Sequence, residues 1–109
     1  MKITDILRIV CDRDASDLFL KVDNVPYMRL YGELVPVPDF PTLGLVDLER
    51  LLTEILDEKH RKLYDEFCDT DFAMEVDGLD RFRISVFLQR GMPSIVMRRI
   101  KKNIRISRL

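Results

Sequence analysis

The sequence predicts an α+β domain in which helices pack on one face of an antiparallel sheet, in the order αβββααβββ. Apolar residues recur at helical spacing in two separate blocks, near residues 3–11 and 45–67. In the stretches 17–37 and 72–100, apolar and polar residues tend to alternate, as they do in strands. Turn signals such as Asp77-Gly78 join these stretches into hairpins, which favours the α+β class.

The first third of the chain predicts one helix and three strands. The helix covers residues 4–13, with Thr4 as its N-cap and Asp14 in the left-handed position that ends it. Prolines crowd the range 36–41, so the third strand is expected to be short and peripheral. The three strands are predicted at residues 17–22, 27–31 and 34–37.

The middle of the chain predicts two helices. In the second of them, Leu63 and Phe67 lie one helical turn apart. We assign these apolar stripes to the core rather than to a cofactor site. The stripe of the first helix consists of Leu45, Leu48, Leu51, Leu52, Ile55 and Leu56.

The last third predicts a meander of three strands, at residues 72–76, 81–89 and 94–100, with a turn over residues 90–93. The middle strand has two distinct faces, because successive side chains alternate in direction. One face is apolar and carries Phe82, Ile84, Val86 and Leu88; the other carries Arg81, Arg83, Ser85 and Phe87. Residues 101–109 are basic, lack periodicity, and are predicted to begin a linker.

Charge is distributed very unevenly along the 109 residues, which are 47% hydrophobic and predict one globular domain. All 19 acidic residues lie at or before Asp80, whereas residues 81–109 carry nine Lys or Arg, so the net charge of −1 hides a strong separation. The C-terminal third is therefore a candidate surface for a phosphate, a nucleic acid or an acidic protein. No apolar run approaches the about 20 residues that cross a bilayer, so we expect a cytoplasmic protein without membrane insertion.

Several classes of catalytic site are excluded by the residues present. A GxxxxGK[ST] phosphate loop needs two glycines five positions apart, and neither it nor GxGxxG occurs. The single histidine, His60, lies among charged residues and is a poor general base or metal ligand. We therefore expect no catalysis by this chain alone and no metal site.

Arg83 and Arg98 are the candidate anion ligands. If the turn at residues 90–93 is tight, Arg98 lies opposite Ser85 and diagonal to Arg83, within roughly 7–8 Å. Guanidinium groups so close repel each other unless an anion lies between them, and their planar fork suits phosphate or carboxylate. Nucleic acid is the weaker alternative, because the chain is slightly acidic and lacks interleaved aromatic residues in the basic stretch. Internal neutralisation stays open, through Asp71, Glu75, Asp77 or Asp80.

Five segments, taken in order, resemble one family, the N-terminal domain of type IV pilus retraction ATPases. These are the PilT-like twitching-motility motors of the secretion ATPase superfamily. The resemblance covers nearly the whole chain, and it rests on the order and spacing of the segments rather than on a single motif. The segments are ASDLFL (15–20), the hairpin 26–32 with Arg29, TDFAMEV (70–76), RFRISVFLQRG (81–91) and MRRI (97–100).

The resemblance implies a PAS-like N-terminal domain over residues 1–100. The linker that begins at residues 101–109 would join it to a RecA-like ATPase domain, which this chain lacks. Six such subunits would form a ring at the pilus base, in the cytoplasm at the inner membrane, with neighbouring subunits and the inner-membrane pilus machinery as partners. ATP with Mg²⁺ would bind between the two domains of the full-length protein, whereas the isolated domain is expected to bind ATP weakly or undetectably.

The resemblance also implies roles for particular residues. By position, Arg83 in RFR and Arg98 in MRRI would approach the β- and γ-phosphates and sense or neutralise their charge. The sequence departs from the usual ASDLHL at Phe19, so any role of the histidine found there does not transfer. Secondary candidates for contacts in the cleft, between domains or between subunits are Arg81, Arg90 and Arg99.

Two other functions stay open. The chain resembles a PAS-like fold that could also serve as a stand-alone sensor or adaptor, although no apolar pocket with a polar rim is evident in the sequence. It could also belong to a related pilus-assembly or type II secretion ATPase, but these usually carry larger N-terminal extensions. A GxxxxGK[ST] loop within roughly 40 residues after Leu109 would decide between a motor fragment and a free domain.

Overall fold

The computed structural model describes residues 2–100, so the predicted linker at 101–109 lies outside the described residues, as does Met1. The α+β class and the predicted order αβββααβββ are confirmed within this range. The elements are α1 (Ile3–Asp12), β1 (Asp17–Lys21), β2 (Tyr27–Leu30), β3 (Glu33–Pro36), α2 (Leu45–Ile55), α3 (Glu58–Phe67), β4 (Asp69–Glu75), β5 (Arg81–Gln89) and β6 (Met92–Ile100).

The six strands form one antiparallel sheet in the order β3-β2-β1-β6-β5-β4. Two meanders, β1 to β3 and β4 to β6, are joined where β1 pairs with β6 at the centre. In that pairing Asp17 lies opposite Arg98 and Leu20 lies opposite Ile95. The first and last strands of the described chain are therefore neighbours, which places residues about 80 positions apart side by side.

One face of the sheet is apolar and is covered by the helices. Ile6, Leu7 and Val10 from α1 are fully buried, and Leu48, Leu51 and Leu52 from α2 pack into the same core. No helix within residues 2–100 is long and apolar enough to span a bilayer. Burial of this face is the main source of stability, because each large apolar side chain contributes about 1.5–3 kcal/mol when fully buried. The sheet contributes Leu18, Leu20, Met28, Phe82, Ile84, Val86, Ile95 and Met97.

The first helix begins earlier than predicted. Lys2 is its N-cap residue, and the Lys2 backbone N–H donates to Asp5 Oδ2 at 3.0 Å. Thr4 therefore lies inside the first turn, and its assignment as the N-cap is wrong. The carboxylate of Asp5 suits this position because the helix N-terminus carries a partial positive charge. Asp14 adopts the predicted left-handed conformation, with φ of 57°.

The β5–β6 turn is tighter than predicted. Its two central residues, Arg90 and Gly91, have φ of 55° and 78°, as a two-residue type I′ hairpin requires. Gln89 consequently pairs with Met92, and Arg98 lies directly opposite Arg83. The predicted pairing of Arg98 with Ser85 is wrong by two residues. An even shift keeps every side chain on its predicted face, because side chains alternate with a period of two.

Arg99 fastens the end of α1 to the sheet from the helix-covered face of β6, where its side chain is only 4% exposed. It forms an ion pair with Asp14, and its Nε lies 3.1 Å from Asp80 Oδ2 at an angle that is poor for a hydrogen bond. Its Nη1 donates to the carbonyl oxygens of Val10 and Cys11 at 3.4 and 3.5 Å. A cation is stabilising there because helix C-termini carry a partial negative charge.

We expect Arg99→Met to lower the free energy of unfolding by about 2–4 kcal/mol, since it removes a buried cation that contacts Asp14, Asp80 and the last carbonyls of α1. Urea denaturation followed by circular dichroism would measure the loss. Arg81→Met is the matched control on an exposed side chain and should change stability by no more than about 0.5 kcal/mol. Equal stability of the two variants would contradict the role given to Arg99.

Candidate functional site

The open face of the sheet, opposite the helices, carries a row of charged residues across four strands. Arg83, Arg98, Asp17 and Arg29 are successive cross-strand partners on β5, β6, β1 and β2. Neighbouring strands are about 4.8 Å apart, so the Cα atoms of the row span about 15 Å. The fold therefore brings Arg83 and Arg98, the two residues predicted from the sequence, side by side on one solvent-facing surface. We call these four residues the arginine row.

Arg83 and Arg98 line a surface depression of about 280 Å³, together with Asp17, Ser85 and Val96. The side chain of Arg98 is 73% exposed. Arg83 is exposed as well, and it forms no ion pair with any carboxylate within residues 2–100. Two guanidinium groups at the rim of one depression are suited to bind an anion with several oxygens, such as a phosphate.

Asp17 is the buried carboxylate of the row, with 5% of its surface exposed. Its Oδ1 accepts a hydrogen bond from Arg98 Nε at 3.2 Å, and its Oδ2 lies 3.3 Å from Arg29 Nε. The Ser16 hydroxyl donates to the same Oδ2 at 2.7 Å. One negative charge is thus shared between two arginines, so it neutralises neither of them completely.

The pKa of Asp17 reflects these contacts. Burial by itself raises the pKa, but the hydrogen bond from Ser16, the hydrogen bond and charge of Arg98, and the charge of Arg29 outweigh burial. The pKa of Asp17 therefore lies below its ordinary value. Asp17 is ionised at neutral pH, and its bond to Arg98 is charge-assisted.

The carboxylates that the sequence suggested as internal partners do not fill that role for the arginine pair. Within residues 2–100, none of them forms an ion pair with Arg83 or Arg98. Asp80 contacts Arg99 on the opposite face, and Asp71 accepts a hydrogen bond from Ser85 Oγ. Internal neutralisation is consequently partial, and it comes from a residue that sequence reasoning did not consider.

The three secondary candidates lie in three different places. Arg81 lies on the open face as the first residue of β5, opposite Glu75 of β4. Arg90 lies in the turn at the other end of β5 and lines a separate depression that includes Lys21. Arg99 is buried on the helix-covered face and binds within the domain. Of these three, the structure places Arg81 alone close to the arginine pair.

Sequence reasoning missed Asp17 and Arg29 as site residues. An acidic residue at the start of an otherwise apolar strand was a signal that could have found Asp17, because a charge is rarely buried without a partner. Arg29 is further fixed by Phe19, whose ring centroid lies 5.3 Å from the guanidinium carbon. Within residues 2–100, no group of three or more His, Cys, Asp or Glu could hold a metal ion.

No family profile matches the chain, but individual pilus ATPases resemble it in sequence and in structure. Over 104 residues, 95% of the chain, it is 34% identical to the type IV pilus retraction ATPase PilT of Pseudomonas aeruginosa. It is 32% identical over the same length to the type IV pilus ATPase PilU of that organism. The chain spans only 30% and 27% of these two proteins.

Solved structures agree with the sequence comparison. A crystal structure of the pilus retraction motor PilT with bound ADP matches 96% of the chain with a TM-score of 0.88 and 33% identity, and the match covers 31% of that protein. The ATPase DotB of Legionella pneumophila matches 90% of the chain with a TM-score of 0.76 at 20% identity. The match to DotB, which extends over 28% of its chain, shows a shared fold.

The buried position of Asp17 predicts how stability depends on pH. Asp17→Asn should lose about 1–2 kcal/mol of unfolding free energy near neutral pH, because the charge-assisted hydrogen bond to Arg98 weakens and the ion pair with Arg29 is lost. Since the folded pKa of Asp17 is lowered, its contribution is present above the unfolded value of about 3.9 and disappears as the pH falls through the lower folded pKa. Urea denaturation at a series of pH values should show the two proteins converging in acid.

Asp71→Asn is the matched control, since Asp71 is exposed on the same face and bonds to no arginine that the structure describes. Its stability should stay within about 0.5 kcal/mol of the wild type at every pH. A loss in Asp17→Asn that is the same at neutral and acid pH would show that the charge of Asp17 is not its source.

Proposed function

Since the chain is, by sequence and by fold, the N-terminal domain of a PilT-like type IV pilus ATPase, we propose that it forms one wall of the nucleotide site of a pilus retraction motor. In this proposal Arg83 and Arg98 bind the β- and γ-phosphates of ATP from the open face of the sheet. The observation that carries the proposal is their convergence on one solvent-facing depression with a single shared counter-charge. The relative that was crystallised with ADP makes a nucleotide the natural anion to consider.

The chemistry of the depression fits this role. A guanidinium group donates two parallel hydrogen bonds to phosphate oxygens and keeps its charge at every physiological pH. Such donors already point at the phosphate before the reaction begins. They can therefore stabilise the charge that develops on the transferred phosphoryl group without moving to new positions. The remaining phosphate contacts, and the site for Mg²⁺, would come from a RecA-like ATPase domain that follows this domain in a longer protein.

The partners follow from the same proposal. Residues 1–100 would be the N-terminal domain, joined through the segment that begins at 101–109 to the ATPase domain. Six copies would assemble into a ring in the cytoplasm at the base of the pilus, beside the inner-membrane pilus machinery. Because the arginines would bind a nucleotide held by the other domain, ATP, ADP and the empty state would favour different positions of the two domains.

In a protein that carries this domain together with its ATPase domain, Arg83→Ala and Arg98→Ala should each lower the turnover number for ATP hydrolysis by about tenfold or more. Each variant removes a positive charge that would stabilise the negative charge developing on the transferred phosphoryl group. Steady-state phosphate release would measure the effect, and urea denaturation would confirm that each variant remains folded.

Arg8→Ala provides a matched control, since it removes the same charge from an exposed position on α1, on the helix-covered side of the sheet. It should leave turnover near the wild-type value. Turnover at the wild-type rate in both Arg83→Ala and Arg98→Ala would refute the proposed role of the depression.

A further inference from the structure

We propose that Asp17 is a positioning residue, which holds Arg98 by its Nε so that the four terminal N–H groups of Arg98 are left for a phosphoryl group bound beside Arg83. The inference rests on the proposed function and deepens it. It gives roles to two residues, Asp17 and Arg29, that do not contact the phosphate themselves. It also states the ligand chemistry as a phosphoryl group.

The first support is the nitrogen at which Arg98 is held. A guanidinium has five N–H donors, one on Nε and four on the two Nη atoms. Asp17 Oδ1 takes the Nε donor at 3.2 Å, and the Arg98 side chain is otherwise 73% exposed. No Nη atom of Arg98 donates a hydrogen bond to the described part of the chain. The end of the side chain that forms the fork toward phosphate is therefore unoccupied by protein groups.

The second support is the rigidity of the anchor. Asp17 is 5% exposed, lies in a strand paired on both sides, and is bonded by the Ser16 hydroxyl at 2.7 Å. A long side chain that is tied to a fixed carboxylate has lost part of its rotamer freedom before the ligand arrives. Ordering such a side chain otherwise costs about 0.5–1.5 kcal/mol at the moment of binding, so the anchor should increase affinity.

The third support is the role of Arg29, which lies outside the depression. Its Nε contacts Asp17 Oδ2 at 3.3 Å, and its guanidinium is held over the Phe19 ring. Because the charge of Asp17 is shared with Arg29, and its Oδ2 also accepts the hydrogen bond from Ser16, Asp17 does not neutralise Arg98 completely. The arginine row contains three guanidinium groups and one carboxylate, so two positive charges are in excess. That excess favours an anionic ligand such as a phosphoryl group.

A positioning role and a purely electrostatic role predict opposite results when the carboxylate of Asp17 is removed. By charge alone, losing an anion beside the depression should tighten phosphate binding. If Asp17 positions Arg98, losing it should weaken binding although the site has become more positive. The direction of the change therefore separates the two roles.

The experiment is a titration of the 109-residue chain with inorganic tripolyphosphate, followed by ¹H–¹⁵N spectra of the arginine side chains. The wild type should bind weakly, and the signals of Arg83 and Arg98 should shift together. Asp17→Asn should weaken binding by about two- to tenfold, the ratio that corresponds to one hydrogen bond. Asp71→Asn, which removes a carboxylate from the same face without touching the row, should bind as tightly as the wild type or more tightly. Tighter binding by Asp17→Asn would overturn the inference.

The wild-type chain offers a second readout that requires no variant to fold. The Nε–H proton of Arg98 should exchange with water more slowly than that of Arg83, because it is hydrogen-bonded to the carboxylate of Asp17. Exchange of Arg98 as fast as that of Arg83 would show that Asp17 does not hold it in solution, and the inference would fall.

Arg83→Ala and Arg98→Ala in the same titration separate this inference from the function on which it rests. If both arginine variants lose binding and Asp17→Asn does not, the phosphate site stands and the positioning role is refuted. If neither arginine variant changes the affinity, the proposed phosphate site itself is refuted.

Discussion

The antiparallel pairing of β1 with β6 is the contact on which the rest of the domain depends. It joins the two meanders into one sheet and sets Asp17 opposite Arg98. The same pairing buries Leu18 and Met97 side by side under the helices. A slip of one residue would turn the apolar side chains to solvent, so the core specifies the register, and the register in turn places the charged row. The geometry of the open face is thus determined by packing on the other face.

The two faces of the sheet differ in character: one carries the apolar core and the other carries the arginine row. The helix-covered face holds the apolar core, whose burial supplies most of the folding free energy. The open face carries Arg83, Arg98 and Arg29 around one buried carboxylate, whose contribution of about 1–2 kcal/mol is small beside that of the core. A surface that contributes little to folding can hold like charges close together, provided that the core offsets their repulsion.

The elements were predictable from the sequence because their signals are local. Alternation and helical spacing located all three helices and six strands of residues 2–100 in the right order. The β5–β6 register was predicted two residues away from the observed one, because Arg90-Gly91 is not the Asn-Gly or Asp-Gly pair that usually marks a two-residue turn. The partnership of Asp17 with Arg98 was missed for a different reason. It joins residues 81 positions apart, and no local pattern reports which distant strands will pair.

The uneven distribution of charge along the sequence does not show which arginines share a face of the sheet. The alternation of side chains along a strand does. Arg98 and Arg99 are consecutive, so they must face opposite sides of the sheet. Arg99 is buried and ties the end of α1 to β6, whereas Arg98 faces the depression. The buried member of the pair fixes the strand from which the exposed member projects. Docking of α1 and the position of Arg98 are consequently coupled through adjacent residues of β6, because Arg99 binds the end of α1 while Arg98 lines the depression.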